Sequence, residues 1–188
     1  MAEPLSRSPL ASFLPGGSTA GGLAFADLTL APRAGIKGPS ARSWLEGAGY
    51  GSLPPPNFAL RRGAGLLLLA MLGESEALLL DRTGGTPLWS FGSGAALAPG
   101  AYPVPRAEGA FWITVAGGRA PDMFATVCAI DLRPKSFKDL QVAQTMIAKS
   151  SAIIIRDDGA GESAFHVLGD ISLGPYLVQQ LLAAAQMA

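Results

Sequence analysis

The strongest constraint on the fold of this chain is an ordered recurrence between its two halves. Two segments of the first half, "GPSARSWL" (38–45) and "GESEALLLD" (73–81), align with "GGRAPDMF" (117–124) and "GESAFHVLGD" (161–170). Each set marks the same order of strand, glycine, helix and hairpin. Because a hairpin cannot bury its apolar face alone, we expect one α+β unit of two pseudo-symmetric β-α-β-β halves packed together.

The spacing of apolar residues predicts the individual elements. Ala41, Trp44 and Leu45 recur at the spacing of one helix face, and "GLLLLAMLGESEALLLD" (65–81) is typical of two strands around a turn. The second half repeats this order with a helix over 118–132 and a set of strands over 141–170. A closing helix is predicted over 172–186, with the Ser172 hydroxyl as its N-cap.

The composition along the chain suggests where these halves begin and end. Residues 1–22 are rich in Ser, Pro and Gly and show no period, which predicts a flexible N-terminal arm. The folded unit is then expected over 23–188. Its first half covers about 23–82, a Gly/Ala/Pro-rich connector covers 83–105, and the second half covers 106–188.

Charge and hydropathy exclude several classes of protein. Fourteen basic residues balance fourteen acidic ones, so we expect no nucleic acid and no anionic membrane as partner. The longest apolar run, "LLLLAML", is much shorter than the roughly 20 residues of a membrane-spanning helix. We expect no signal peptide, and the single cysteine, Cys128, gives no internal disulfide. These features favour a cytoplasmic protein.

The stretch "GIKGPSARSWLEGAG" (35–49) raises the question of a phosphate-binding loop. Such a loop needs several free backbone N–H groups and a lysine followed by Ser or Thr. Here Lys37 precedes Gly38 and Pro39, and proline has no N–H to give. The sequence therefore favours a turn from a strand into a helix.

The reactive side chains give no catalytic or metal-binding pattern. His166 is the only histidine, and we expect it to be solvent-facing or locally bonded rather than a catalytic base. Asp157 and Asp158 precede Gly159 and are interpreted as turn residues. Cys128 is interpreted as a buried small apolar residue. Recurring metal-ligand spacings and a dinucleotide fingerprint are absent from the sequence.

Aromatic residues of the connector are candidates for contact with a partner chain. The segment with weak secondary-structure signals contains Trp89, Phe91 and Tyr102. These side chains could equally be buried in the core of the chain or bind a partner chain. Arg106 could pair with a carboxylate inside the chain or across an interface. The low charged fraction, 15%, suits a permanent contact.

An ordered set of segments resembles a known family. The set comprises "LTLAPRAGIKGPSARSWL", "GAYPVPR", "CAIDLRPKSF", "VAQTMIAKSSAIIIR" and "YLVQQLL". It resembles the folate-binding fold of glycine-cleavage aminomethyltransferases, and within that group the gamma subunits of bacterial heterotetrameric sarcosine oxidases. The resemblance covers about residues 25–186.

This resemblance implies a non-catalytic accessory subunit. The complex it implies demethylates sarcosine oxidatively to glycine, releases hydrogen peroxide and passes the one-carbon unit to tetrahydrofolate. FAD, FMN, NAD and tetrahydrofolate would be bound by larger partner subunits.

A departure from the family pattern supports the non-catalytic role. Relatives that perform folate chemistry carry an acidic pair where this chain has Lys149, Ser150, Ser151 and Ala152. We therefore expect no catalytic, cofactor-binding or metal-binding residue in it.

Two other functions stay open at this stage. One is a free-standing folate-binding or one-carbon transfer protein. The other is a small regulatory or RNA-binding α+β module, which the balanced charge disfavours.

Overall fold

The computed structural model describes residues 7–82, 97–159 and 161–188, which form two antiparallel sheets. The larger sheet contains, in spatial order, β1 (Ser18–Ala20), β2 (Leu23–Asp27), β8 (Ala110–Ala116), β11 (Ala164–Asp170), β10 (Ser150–Arg156) and β9 (Val142–Ile147). The smaller sheet contains β4 (Phe58–Arg62), β5 (Leu67–Gly73), β6 (Glu76–Asp81), β3 (Arg33–Lys37) and β7 (Tyr102–Val104).

Helices cover the outer faces of both sheets. They are α1 (Ala41–Leu45), which continues as a π-helical turn (Glu46–Tyr50), α2 (Ala120–Val127) and α3 (Gly174–Met187). Short 3₁₀ turns lie at Gly63–Gly65 and Ile171–Leu173.

Strand alternation produces three apolar layers. One side of β11, with Phe165 and Val167, packs on α2 and α3, while Leu168 on the other side packs against the smaller sheet. The smaller sheet does the same, because Leu79 packs on α1 and Leu80 faces the larger sheet. The order of layers is therefore helices, larger sheet, smaller sheet, helix. We call the space between the two sheets the inner layer.

Two glycines confirm the predicted recurrence. Gly38 and Gly117 both adopt positive φ, of 121° and 135°, where a strand turns into a helix. The N–H of Gly38 donates to the Ser75 carbonyl at 2.9 Å, and the N–H of Gly117 donates to the Ser163 carbonyl at 2.9 Å. Since each half has the order β-α-β-β-β, the α+β class is confirmed, with one more strand per half than predicted.

The two halves meet symmetrically along the strands β4 and β9. Asn57 and Leu140 precede these strands, and both have positive φ, of 65° and 62°. The N–H of Ala59 donates to the Leu140 carbonyl, and the N–H of Val142 donates to the Asn57 carbonyl. These reciprocal bonds place the pseudo-twofold axis between the two strands.

Strand exchange joins the halves further. β2 precedes the first half but pairs with β8 of the second, while β7 precedes the second half and pairs with β3 of the first. Residues 102–104, which the sequence assigned to an irregular connector, are therefore an edge strand of the smaller sheet.

The structure differs from the predicted flexible arm. Leu10 and Leu14 are buried in the core between the larger sheet and its helices, and residues 18–20 form β1. The Ser/Pro/Gly composition concealed this packing, because two leucines without a period give no sequence signal. Residues 1–6 lie outside the described range.

The two helices of the second half have other boundaries than the predicted 118–132 and 172–186. α2 ends at Val127, because Cys128 is extended and forms an isolated β-bridge with Ile147, the last residue of β9. Ser172 is not the cap of α3. Instead, the Asp170 carboxylate accepts the Ser172 N–H at 2.9 Å and so caps the short 3₁₀ turn before the helix.

Candidate functional site

The inner layer has two ends, and they differ in how they are filled. We call one the locked end, formed by Arg61, Arg82, Trp112, Asp139, Asp157 and His166. We call the other the open cleft, a space of about 600 Å³. The open cleft is lined by Leu78, Arg106, Gly109, Ala110, Gln144, Thr145, Met146, Ser151, Ala152, Ile153, Leu168, Gly169 and Asp170.

Asp157 is the centre of the locked end. It follows β10, is 6% exposed, and accepts a hydrogen bond from Arg61 Nε at 2.5 Å. Its other carboxylate oxygen lies 3.0 Å from His166 Nε2 and 3.7 Å from Arg82 Nη2. Arg61 also holds Asp139 through two hydrogen bonds, of 2.6 and 2.9 Å. Since Arg61 and Arg82 lie on or beside the smaller sheet, these ion pairs join the two sheets.

The hydrogen bonds of His166 fix its protonation state. Trp112 Nε1 donates to His166 Nδ1 at 3.0 Å, so a neutral ring carries its proton on Nε2 and donates it to Asp157. Burial lowers the pKa of His166 and outweighs the opposing influence of Asp157. The imidazole is therefore neutral, with both nitrogens engaged.

Asp157 stays ionised in this setting. Burial alone raises its pKa, but the hydrogen bonds from His166 and Arg61 outweigh that effect and hold the pKa below the ordinary value of an aspartate. A buried ionised carboxylate with three partners is a structural anion. It has no proton to give.

These contacts correct two expectations. Asp157 is a buried cross-sheet ion-pair partner rather than a simple turn residue, while Asp158 lies at the turn and pairs with Arg156 Nε at 2.7 Å. His166 is locally bonded, as one alternative held, but it is 2% exposed rather than solvent-facing. Alternation gave its face correctly and could not reveal that a second sheet covers that face.

Two buried arginines that the sequence analysis missed position the loops around the inner layer. Arg33 donates to the carbonyls of Thr29, Ala31, Arg106, Ala107 and Ala110. It thereby ties the segment that carries Arg106 to β3. Arg156 donates to the Phe137 carbonyl at 2.9 Å and lies over the Phe165 ring. Arginine within an apolar strand was the available signal, because a buried guanidinium needs several acceptors.

Strand register makes the two ends structural counterparts. Leu80 and Leu168 occupy matching positions, so Leu78 matches His166 and Asp170 matches Arg82. The register of the neighbouring strands gives the same correspondence. Arg61 is opposite Leu68, and Gln144 is opposite Ile153, so Arg61 matches Gln144. Gln144 donates to the Leu72 carbonyl at 3.0 Å, just as Arg61 donates to Asp157.

The open cleft has an apolar floor and a polar rim. Leu78, Ile153 and Leu168 of the inner layer form the floor. On the rim, Arg106 Nη2 donates to Glu76 at 2.7 Å, so the internal alternative predicted for Arg106 is the one observed. Asp170 accepts from the Ser172 hydroxyl and N–H, which hold the pKa of this carboxyl below its ordinary value.

The place where the resemblance expected an acidic pair adjoins this cleft. Ala148 and Lys149 form the tip of the β9–β10 hairpin with positive φ. Ser150 is buried, and Ser151 and Ala152 line the open cleft. The Ser151 hydroxyl therefore stands where a carboxylate would face the cleft, while Ala152 packs in the core on the other face of the larger sheet.

The remaining predicted residues are dispersed. Tyr102 lies on β7 with 59% of its surface exposed and does not line the cleft, whereas Trp89 and Phe91 lie outside the described residues. The Gly38 N–H is bonded to Ser75, and so cannot serve a phosphate. Cys128 is half-buried, and burial raises the pKa of its thiol.

The described part of the chain shows neither a metal-binding cluster nor a membrane-spanning helix. In residues 7–82, 97–159 and 161–188, no three His, Cys, Asp or Glu side chains gather as a metal site. Within the same ranges, no helix combines the length and apolar character needed to cross a membrane.

Comparison with solved structures identifies the fold. The chain superposes on a chain of the heterotetrameric sarcosine oxidase from Corynebacterium sp. U-96, solved in complex with pyrrole 2-carboxylate, with a TM-score of 0.74. The match covers 98% of this chain and 96% of that chain at 18% identity. The fold is sarcosine-oxidase-like.

A second similar structure extends this likeness to aminomethyltransferases. The glycine cleavage system aminomethyltransferase T from Bartonella henselae matches with a TM-score of 0.58 and 16% identity. The match covers 86% of this chain but 48% of that one, so this chain spans about half of that protein's length. No family model and no curated protein sequence matches the chain. The likeness therefore lies in the fold.

Proposed function

We propose that this chain is a non-catalytic accessory subunit, of the gamma type, in a cytoplasmic heterotetrameric sarcosine oxidase. The observation that carries the proposal is the end-to-end match, covering 98% of this chain and 96% of a chain from such an enzyme. A match that leaves almost no residue over on either side is expected of equivalent subunits.

The chemistry of the described residues supports the non-catalytic role. His166 is buried, neutral and bonded through both ring nitrogens, so it cannot act as a base on a substrate. Asp157 is paired with Arg61 and Arg82 and accepts a hydrogen bond from the neutral His166, and Ser151 stands where the resemblance expects an acid. Demethylation of sarcosine, with FAD, FMN, NAD and tetrahydrofolate, is assigned to the larger partner subunits.

Co-purification tests this assignment. The chain is given an affinity tag and co-expressed with the genes that neighbour its own. We expect the tagged chain to retain larger subunits and a yellow flavin absorbance, together with peroxide formation on addition of sarcosine. Recovery of the tagged chain alone, from cells in which the larger subunits are present and folded, would contradict the proposal.

A second candidate is a free-standing folate-binding or one-carbon transfer protein. The open cleft beside Ser151, together with the likeness to an aminomethyltransferase, favours it. Calorimetry of tetrahydrofolate with the isolated full chain separates the two candidates. The accessory role predicts no measurable heat, whereas micromolar affinity would favour the second candidate.

A further inference from the structure

We propose that the open cleft binds a small zwitterion, an α-amino acid with an apolar side chain. Its carboxylate would lie against Arg106 and its ammonium against Asp170, while its side chain would occupy the apolar floor. This inference concerns the chain by itself and does not rest on membership in an oxidase complex.

The size and floor of the cleft fit a small organic ligand. Its volume of about 600 Å³ falls within the range of about 300 to 1,000 Å³ that is usual for ligand pockets. Leu78, Ile153 and Leu168 give it an apolar floor between the two sheets. An apolar side chain of modest size gains free energy by leaving water for this surface.

Arg106 is the proposed binding partner of the ligand carboxylate. A guanidinium has five N–H donors in a planar fork, and the contact with Glu76 Oε1 uses one of them. The Nε–H of Arg106 has almost no accessible surface, so a ligand in the cleft would meet the Nη groups, and Glu76 uses one of their N–H donors. Because arginine presents several donors in one plane, the ligand carboxylate would lie beside that of Glu76.

Asp170 provides for the ammonium group. Its carboxylate is bonded to Ser172 and forms no salt bridge within the described ranges. Asp170 and Arg106 therefore present opposite charges to one cleft above a shared apolar floor. Charges of both signs on one rim match a ligand that carries both signs.

The locked end differs from the open cleft in supplying its own paired charges. There, Arg61, Asp157 and His166 fill the inner layer with their own paired groups. At the open end, Gln144 and Leu78 replace Arg61 and His166, so the described residues form no counterpart there of the ion pair at Asp157. The bound zwitterion would bring its own carboxylate and ammonium charges to the cleft. At the locked end, the side chains of Arg61 and Asp157 carry the corresponding charges.

A titration with three related probes tests the proposal. Leucine carries both charges, 4-methylpentanoate lacks the amine, and 3-methylbutylamine lacks the carboxylate. Each is titrated into the full chain and followed by NMR shifts of the amides that line the cleft. We expect leucine to bind about two- to fivefold more tightly than either analogue, since each exposed ion pair contributes modestly.

Three variants assign the charges. In Arg106→Gln, leucine should lose its advantage over 3-methylbutylamine, and in Asp170→Asn its advantage over 4-methylpentanoate. Arg133→Gln is the matched control, because Arg133 pairs with Asp131 and does not line the cleft. Its leucine affinity should equal that of the parent chain.

Several results would overturn the proposal. They are the absence of leucine-dependent shifts in a folded chain, equal affinity for leucine and both analogues, and unchanged leucine affinity in both cleft variants. Shifts at the cleft with tetrahydrofolate but not with leucine would also overturn it. Failure of co-purification would leave the titration unaffected, so this test and that of the proposed function fail separately.

Discussion

The locked end and the open cleft are related by the internal twofold, yet they are built from opposite chemistry. At the locked end, Asp157 binds Arg61 and His166 across the two sheets, with Trp112 behind the imidazole. At the cleft, the matching Leu72 and Leu78 offer one carbonyl contact and an apolar surface. In a protein built from two similar halves, one copy of a structural position can thus hold the sheets together, while the other copy can form a cleft for a ligand.

The difference originates in a few side chains rather than in the backbone. Asp139 precedes Leu140 and reaches Arg61, whereas the matching residue before Asn57 is Pro56, which has no charge. The two turns share positive φ at Leu140 and Asn57. The same turn therefore carries an ion-paired aspartate in one half and an uncharged proline in the other.

Removing the central anion should have the largest effect. Asp157→Ala leaves Arg61 and Arg82 facing a buried space without their carboxylate, which costs about 3–5 kcal/mol of unfolding free energy. Urea unfolding followed by tryptophan fluorescence measures the loss. Glu162→Ala, at an exposed site in the same connection, is the control and should change stability by less than about 0.5 kcal/mol. Equal effects of the two substitutions would refute the role given to Asp157.

Substitution of matching residues compares the two ends directly. Arg61→Ala removes hydrogen bonds to two carboxylates and should cost about 2–3 kcal/mol. Gln144→Ala removes one neutral hydrogen bond and should cost about 0.5–1.5 kcal/mol. Both are measured by the same urea unfolding. If Gln144→Ala proved the more damaging, the ranking of the two ends would be reversed.

Acid should weaken the locked end through His166, the only histidine of the chain. Its pKa is lowered in the folded state, so the unfolded chain binds a proton more readily and stability falls as pH drops below the ordinary histidine value of about 6.5. Protonation in place would oppose the Trp112 N–H and add a third cation beside Arg61 and Arg82. We expect a loss of about 1.4 kcal/mol between pH 7.5 and pH 5.5.

His166→Gln is the control for that pH dependence. It lowers stability at neutral pH but should flatten the profile over the same interval, because the variant has no histidine to titrate there. A profile with the same slope in this variant would show that another group is responsible.

The smallest effect on stability is expected at the rim of the cleft. Asp170→Asn keeps an oxygen that can accept the Ser172 N–H, so it should change the unfolding free energy by less than about 0.5 kcal/mol. Thermal unfolding measures this change. A loss above about 2 kcal/mol would place Asp170 among the groups that hold the sheets together.

The fold was predictable because its signals are local and repeated. Gly38 and Gly117 lie at matching strand-to-helix turns, as the aligned segments indicated. A Cβ at Gly38 would lie 2.2 Å from the Gly100 carbonyl oxygen, so this position requires glycine. The exchange of β2 and β7 between halves was not predictable, since pairing of distant strands leaves no periodic pattern.

The site was less predictable because its contacts are distant in sequence. Arg61 and Asp157 are separated by 96 positions in the sequence, and no spacing rule links them. An Asp before a glycine indicates a turn, which describes Asp158 but hides the burial of Asp157. The sequence left open whether Arg106 pairs inside the chain or across an interface; the structure shows its pair with Glu76 and the cleft beside it, and the subunit contact stays a prediction.

Hydrogen exchange at matching strands tests the difference between the two ends most directly. Phe165 and His166 of β11 match Ala77 and Leu78 of β6. Each of these strands is hydrogen-bonded to a neighbouring strand on both sides. If the buried ion pairs close one end, the amides of 165–166 exchange more slowly than those of 77–78, and Asp157→Ala removes the difference. Equal exchange in the parent chain, or faster exchange at 165–166, would contradict the account.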